Sequence, residues 1–238
     1  MVDGPAPTFG GAAVRGAPPV ERYSLSSLDQ LAERFGIATD GLAPRFNIAP
    51  LQRAPIVGAH GVVHARWGLL PPWRGHGGKR GPHVLHAPLD QLDAVPLLRT
   101  AFKSQRCLVL ADGFFVWRRA GKKPQPIWIH RAPAAPVAFA GVAATHKDDG
   151  VASFALLVAP AGPVVASAVA PDALPRVPLV VADPARWLAG PRDTARDALA
   201  LPDVGWRADP VSTWVNSVDH DDAKCVEPLG NPAQGTLF

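Results

Sequence analysis

The chain is poor in the residues that build disulfides and metal centres. It has 238 residues but only two cysteines, Cys107 and Cys225, and neither belongs to a Cys-x-x-Cys pair. A zinc site is therefore not expected, and a disulfide is not expected in a reducing compartment. Cys107 lies in the apolar run RCLVLA and is predicted to be a small core residue. We expect neither a metal nor a cofactor.

Long apolar runs and a secretory signal are also missing. No run approaches the roughly 20 apolar residues that a membrane span needs. The first twenty residues, MVDGPAPTFGGAAVRGAPPV, lack the basic start and apolar block of a signal peptide. We expect residues 1–19 to be a flexible tail, and the protein to be cytoplasmic and nucleoid-associated, with no membrane partner.

Charge is scarce while apolar residues are abundant. Charged residues make up 18% of the chain and hydrophobic residues 47%, which is enough to bury a sizeable core. The 27 prolines and 22 glycines predict many turns between short elements. The net charge of +4 permits an anionic partner such as nucleic acid, but a basic surface for solubility explains it equally well.

The hydrophobic pattern predicts an α+β fold with a largely antiparallel, curved or barrel-like sheet. Helices are expected over 23–36, where Ser27 and Gln30 have capping-box spacing, over 93–104 with Pro96 near its start, and over 183–190 with Asp183 as N-cap. The predicted strands are RFNIAP, RAPIVGA, VVHARWGLL, QPIWIHR, VAFAGVAAT, SFALLVAP and, last, DPVSTWVN.

The stretch LADGFFVWRR, residues 110–119, is typical of a β-hairpin. Asp112-Gly113 lies between two apolar runs, which is a strong short-range hairpin signal. Strand alternation places Phe114 and Val116 on one face and Phe115 and Trp117 on the other. Because both faces are apolar, Val116 is either ordinary packing or a replacement for a polar residue.

Several motifs in order resemble the successive blocks of the SOS response-associated peptidase (SRAP) family. The blocks are ERYSLSSLDQLAERFG, RFNIAP, RWGLLPPW, RCLVLADGFFVW, FAGV, PRVPLVV, PVSTWVN and VEPL. The resemblance covers residues 20–229, which leaves 1–19 and 230–238 as tails. It implies a twisted, largely antiparallel barrel-like sheet with flanking short helices, and it implies binding of single-stranded DNA and capture of abasic sites.

The resemblance also implies a chemistry that this chain lacks the residues to perform. Family members use an N-terminal cysteine, whose thiol and α-amine together trap the sugar aldehyde as a thiazolidine, in a pocket lined by Asn, Glu and His. The matching positions here hold Val20, His86, Val116 and Leu174. A buried carboxylate without partners is unfavourable, so apolar replacements are mutually consistent. We therefore expect a catalytically inactive member of the family.

The DNA-contacting residues of the family are partly retained. A proline and a tryptophan at the family's DNA junction match Pro50 and Trp67, and Arg22 and Arg176 match basic residues around the pocket. Arginine suits phosphate, and aromatic rings can stack on unpaired bases. Against this, Pro88 replaces a family arginine, and Trp67 could instead be a core residue. The predicted DNA contacts are Arg22, Asn47, Pro50, Trp67, His86 and Arg176.

Two alternatives to a DNA-binding pseudoenzyme stay open at this point. The chain could be an active enzyme on abasic DNA, with its N-terminal amine forming a Schiff base or with His86 acting as a base. It could also be a protein-interaction module that no longer binds DNA. Salt-dependent DNA affinity and borohydride trapping distinguish these classes.

The last five residues, QGTLF, resemble the pentapeptide by which bacterial repair proteins dock on the sliding clamp, the β subunit of DNA polymerase III. Gln234, Leu237 and Phe238 occupy the key positions of that pattern. Two apolar side chains would be buried in a groove while the amide sets the register. The alternative is an apolar chain end that packs on its own domain. We expect the clamp to be a partner, together with other repair proteins.

Overall fold

A computed structural model describes residues 20–72, 81–119, 123–133, 135–147, 149–169 and 175–230. The strands are β1 Tyr23–Leu25, β2 Arg45–Ile48, β3 Arg53–Gly58, β4 Gly61–Trp67, β5 His86–Pro88, β6 Arg106–Ala111, β7 Gly113–Arg118, β8 Gln125–Arg131, β9 Val137–Thr145, β10 Ala152–Pro160, β11 Arg176–Pro178, β12 Val180–Val181, β13 Leu199–Ala200 and β14 Trp206–Pro210. The helices are α1 Leu31–Phe35, α2 Pro96–Ser104, α3 Pro163–Ala168, α4 Pro184–Ala189 and α5 Arg192–Ala195.

The larger sheet closes into a barrel. Its strand order is β11-β10-β4-β3-β6-β9-β12-β13, and β10 also pairs with β9, so that β10, β4, β3, β6 and β9 form a closed ring. Strands β9 and β10 are nearly continuous apolar runs because both of their faces are buried. Gly141 lets β6 approach β9 closely, since a Cβ there would lie 2.8 Å from Cys107 Sγ.

A second sheet packs against this barrel and carries the start of the domain. Its order is β14-β8-β7-β1-β2, and all of its pairings are antiparallel. Tyr23 of β1 contacts the barrel residues Trp67 and Phe139 edge to face, at ring centroid distances of 5.3 and 6.4 Å. The α+β prediction with a largely antiparallel, barrel-like sheet is therefore confirmed, although β10 runs parallel to β4 and β5.

The first predicted helix begins later than the sequence indicates. Residues 23–25 form strand β1, and the helix is confined to Leu31–Phe35. The capping box is wrong, because the N-cap residue is Gln30 and makes no side-chain capping bond. The predicted end is confirmed: Gly36 adopts φ 64°, a left-handed conformation that glycine reaches without strain.

The predicted hairpin at residues 110–119 is also wrong. Strand β6 belongs to the barrel, where it pairs with β3 and β9, whereas β7 belongs to the second sheet and pairs with β1 and β8. Asp112 is the corner at which the chain passes from one sheet to the other. The predicted alternation is confirmed, because Phe114 and Val116 join the main core while Phe115 and Trp117 belong to a smaller cluster.

The other two predicted helices follow the sequence signals, and the last predicted strand does so only in part. Helix α2 begins at Pro96, and Asp183 caps α4 by accepting a hydrogen bond from the Arg186 amide at 3.0 Å. The predicted strand DPVSTWVN ends at Pro210, and Thr213–Asn216 form a 3₁₀ turn. None of the helices in the described ranges is long and apolar enough to cross a membrane.

Candidate functional site

The site begins where β1 and β5 meet, at the position that the resemblance assigns to the cysteine. Val20 is only 2% exposed, and its carbonyl oxygen accepts a hydrogen bond from His86 Nε2 at 2.7 Å. His86 is held by the parallel pairing of β5 with β10, where it lies opposite Leu156. The structure therefore brings together Val20 and His86, two of the four positions named from the sequence.

The environment of His86 keeps the imidazole neutral. Burial lowers the pKa of His86 from 6.5 to about 4, and the hydrogen bond to the Val20 carbonyl opposes this shift only in part. The ring of Trp67 lies edge-on to it, with centroids 5.9 Å apart. Because the carbonyl oxygen accepts, Nε2 carries the proton, and Nδ1 is the acceptor of this neutral ring.

Val116 is ordinary core packing rather than an open vacancy. It lies on β7, is 4% exposed and joins the main apolar cluster together with Val20 and Tyr23. The hydroxyl of Tyr23 is fully buried and has no hydrogen-bond partner among the described residues. Burial raises the pKa of Tyr23, so the hydroxyl stays neutral. The interior side of the site is thus uncharged, and it is apolar apart from the Tyr23 hydroxyl.

Arg176 lies at the rim, where its charge is matched by a carboxylate. Its two terminal nitrogens donate to the two oxygens of Asp90 at 3.0 and 3.2 Å. These hydrogen bonds lower the pKa of Asp90, which therefore stays ionised. A phosphate would have to compete with Asp90 for the guanidinium, so Arg176 is a weaker anion contact than the sequence alone indicates.

Arg22 and Pro50 lie at the surface. Arg22 donates from Nη1 to the Glu21 carbonyl at 2.8 Å, while its buried Nε has no partner among the described residues. Partial burial lowers the pKa of the Arg22 guanidinium from its usual value. Pro50 is half-buried, and the next residue, Leu51, is 50% exposed in a left-handed backbone conformation with φ 68°. Arg22 therefore keeps donors that a ligand can use.

Two of the predicted DNA contacts, Trp67 and Asn47, have fully buried side chains. Trp67 is 0% exposed and donates from Nε1 to the Leu85 carbonyl at 3.0 Å, so its ring cannot stack on a base. Asn47 is 0% exposed, and its Nδ2 donates to the carbonyls of Val215, Ser217 and His220 at 3.1, 2.8 and 2.8 Å. Both side chains stabilise the fold through these hydrogen bonds.

The sequence reasoning missed Asp112 and Asp221 as anchors of this region. Asp112 is 2% exposed and accepts four hydrogen bonds from residues 24–27. Asp221 pairs with Arg45 and accepts from the Phe46 and Asn47 amides. The local sequence indicated turns rather than anchors, because Asp112 precedes a glycine and Asp221 lies in an acidic turn. Their partners are far away in the chain.

The other predicted site residues lie outside the part of the chain that the structure describes. They are Leu174, Gln234, Leu237 and Phe238. In the described ranges, no group of three His, Cys, Asp or Glu side chains is arranged to hold a metal ion. Cys107 and Cys225 are both free and buried.

Comparison with known proteins agrees with this arrangement of strands and motifs. The family model described as SOS response associated peptidase (SRAP) matches residues 21–218. This chain belongs to the SRAP family. The resemblance drawn from the motifs is thereby confirmed, and it accounts for nearly all of the described residues.

Individual SRAP relatives and solved structures share both sequence and fold with the chain. The abasic site processing protein YoaM of Bacillus subtilis is 27% identical over 226 residues, which are 87% of this chain and 96% of YoaM. The abasic site processing protein YedK of Escherichia coli is 24% identical, over 78% of this chain and 85% of YedK. A crystal structure of a Bacteroides thetaiotaomicron protein superposes with a TM-score of 0.71 at 19% identity, covering 87% of this chain and 99% of that protein.

Proposed function

We propose that this SRAP-family chain acts in the response to abasic DNA damage by binding single-stranded or junction DNA without forming a covalent bond. Family membership and relatives named for abasic site processing support a role at damaged DNA. The positive net charge of +4 is compatible with a polyanionic ligand. The non-covalent part of the proposal depends on the chain's own residues.

The observation that carries the proposal is that Val20 offers neither a thiol nor a free amine. Residue 20 is an internal residue, so its nitrogen is a peptide nitrogen, and its side chain has no thiol. Its carbonyl is engaged by His86, and Val116 is packed in the core at the position of the family's glutamate. An aldehyde at this place would meet neither an amine nor a carboxylate. His86 is half-buried, its lowered pKa makes it a weak base, and its Nε2 is held by the Val20 carbonyl, which together disfavour it as a replacement for the missing catalytic groups.

Non-covalent binding would use the cationic rim. Arg22 supplies donors near the pocket, Arg176 supplies a guanidinium that Asp90 holds in place, and Pro50 lies at the surface beside the exposed Leu51. Arginine side chains that neutralise phosphates release counterions, so affinity should fall steeply as salt rises. A protein-interaction module would not bind DNA, and so would show no salt-dependent DNA affinity.

The test is a native gel with a single-stranded oligonucleotide that carries one abasic site. We expect a shifted band that weakens as the salt concentration rises from 50 to 200 mM, by roughly an order of magnitude or more if several phosphates are contacted. An oligonucleotide with an intact base at the same position is the control. Absence of any shift, with either oligonucleotide, would contradict the proposal and favour a protein-interaction module.

We further propose that the C-terminal segment QGTLF docks on the bacterial sliding clamp. The sequence supports this through Gln234, Leu237 and Phe238, and only three residues separate the segment from Gly230, the last described residue of the domain. We expect purified clamp to bind the full chain, and expect the double substitution Leu237→Ala/Phe238→Ala to abolish binding in surface plasmon resonance. Val218→Ala, a change at an exposed apolar residue of the domain, is the control. Unchanged binding of the double variant would contradict docking through this segment.

A further inference from the structure

One stretch of the sequence combines several basic residues with a complete lack of acidic ones. Residues 41–89 contain no aspartate or glutamate at all, yet they hold six of the 24 Lys and Arg residues and five of the eight histidines. Strands β3 and β4 lie inside this stretch and form a hairpin on the barrel wall. The charges of the hairpin therefore have no acidic partner close in sequence.

Arg53 and Arg66 lie directly opposite each other in that hairpin. They are register partners in the antiparallel pairing of β3 with β4, so both side chains leave the same face of the sheet. That face is the outer one, because the neighbouring pair Ala54 and Ala65 points into the core at 0% exposure. Like charges placed opposite each other on neighbouring strands destabilise a sheet.

No described acidic residue relieves this repulsion. Neither Arg53 nor Arg66 forms an ion pair within the described ranges, whereas Arg45, Arg176 and Arg192 each pair with an aspartate. The Nε of Arg66 is buried and has no hydrogen-bond partner in the same ranges. Arg66 therefore has a buried donor without an acceptor and a like charge opposite it, and an anion between the guanidinium groups would relieve both.

The surroundings of the pair suit an extended anion. His64, two residues before Arg66 on β4, leaves the same face and is exposed, so it adds a donor along the strand. At the other end, the Leu51 amide is hydrogen-bonded to the Trp67 carbonyl at 2.8 Å, which places the exposed Leu51 beside the pair. Donors in a row, next to an apolar side chain, fit a sugar-phosphate backbone better than a single small anion.

We propose that Arg53 and Arg66, with His64 beside them, bind the phosphodiester backbone of DNA on the outer face of the barrel. This inference rests on the proposed DNA binding and adds a second contact surface, outside the pocket of Val20 and His86. The ligand is a nucleic-acid strand, and each guanidinium neutralises one phosphate. The proposed site destabilises the free protein slightly, because it keeps two like charges in register on neighbouring strands.

The test compares the salt dependence of DNA affinity in matched variants of the full chain. The double variant Arg53→Gln/Arg66→Gln removes the proposed phosphate contacts. The control Arg34→Gln/Arg207→Gln removes the same charge at an exposed arginine of α1 and an exposed arginine of β14. Fluorescence anisotropy of a labelled single-stranded oligonucleotide gives the affinity of each protein at several salt concentrations.

We expect the Arg53/Arg66 variant to bind roughly tenfold more weakly near 0.1 M salt, and its log-log salt slope to be smaller by about 1.4, because each single-strand phosphate contact contributes about 0.7. Its melting temperature should equal or exceed that of the parent chain, since the repulsion is gone.

If wild type binds and both double variants bind alike, this inference is wrong while the proposed function stands. If wild type does not bind, both are wrong. Should the double variant fold poorly, Arg53→Gln alone, at an exposed position, is expected to lower the slope by about 0.7.

Discussion

Replacing Asp112 by alanine is expected to destabilise the domain by about 3–5 kcal/mol, the range for breaking a buried charged network from one side. The Asp112 carboxylate is 2% exposed. It accepts from Ser24 Oγ at 2.5 Å, from the Ser26 amide and Oγ at 2.6 and 2.7 Å, and from the Ser27 amide at 2.9 Å. Alanine would leave the Ser26 amide, the Ser26 hydroxyl and the Ser27 amide without their acceptor at half-buried positions, and Ser24 Oγ would keep only the Gly113 carbonyl at 3.4 Å.

Loss of these hydrogen bonds would also affect the candidate site, because they hold the segment that follows β1. Residues 24–27 connect β1 to α1, and Val20 and Arg22 lie just before β1. Ser24 also accepts a hydrogen bond from Trp128 Nε1 at 3.0 Å, so the network ties β1 to β8 as well. We therefore expect the Asp112 variant to lose DNA affinity in the folded protein as well as stability.

Urea denaturation at pH 7 measures this effect directly. Asp203→Ala, at an exposed aspartate between β13 and β14, is the matched control and is expected to change stability by about 0.5 kcal/mol or less. Asp112→Asn, which keeps one acceptor oxygen, should fall between the control and the alanine variant. A loss below about 1 kcal/mol for Asp112→Ala would show that the four hydrogen bonds do not hold the corner.

The second large effect is a loss of stability in mild acid that depends on His86. Its pKa is lowered from 6.5 to about 4 in the folded chain. Between these two values the unfolded chain binds a proton that the folded chain does not, so the free energy of unfolding falls as the pH falls from about 6.5 to about 4. A shift of that size corresponds to about 3 kcal/mol, most of which disappears below pH 6.

His86→Gln isolates this contribution, because glutamine keeps an amide N–H that can reach the Val20 carbonyl and does not titrate. Urea denaturation of both proteins at pH 7, 5.5 and 4 gives the difference in their pH dependence. We expect wild type to lose about 3 kcal/mol more than the variant between pH 7 and 4. Parallel curves would mean that folding leaves the pKa of His86 unchanged, and would contradict the half-buried contact with Val20.

The parts of the fold that could be predicted from the sequence are those set by local chemistry. Pro96 and Asp183 mark the starts of α2 and α4, Gly36 ends α1, and the apolar runs of β9 and β10 are long enough to be read directly. In each case the deciding contact lies within a few residues. The motif order was sufficient for the family as well.

The features that could not be predicted depend on contacts between distant residues. The Asp112-Gly113 pair has the composition of a hairpin turn, yet the chain changes sheets there because Asp112 is bound by serines more than 80 residues away. Asn47 belongs to a motif that the family resemblance placed at DNA, and its burial follows from carbonyls 168 to 173 residues along the chain. Neither local periodicity nor composition reports such pairings.

The most direct test of the central claim is a denaturing gel of the full chain incubated with a single-stranded oligonucleotide carrying one abasic site. We predict that the salt-sensitive complex expected on a native gel disappears completely under denaturation, with or without borohydride, because Val20 supplies neither a thiol nor an amine and the Val20 carbonyl holds His86 Nε2. A band of protein joined to DNA that survives denaturation would contradict this account and would mean that another group on the chain captures the aldehyde.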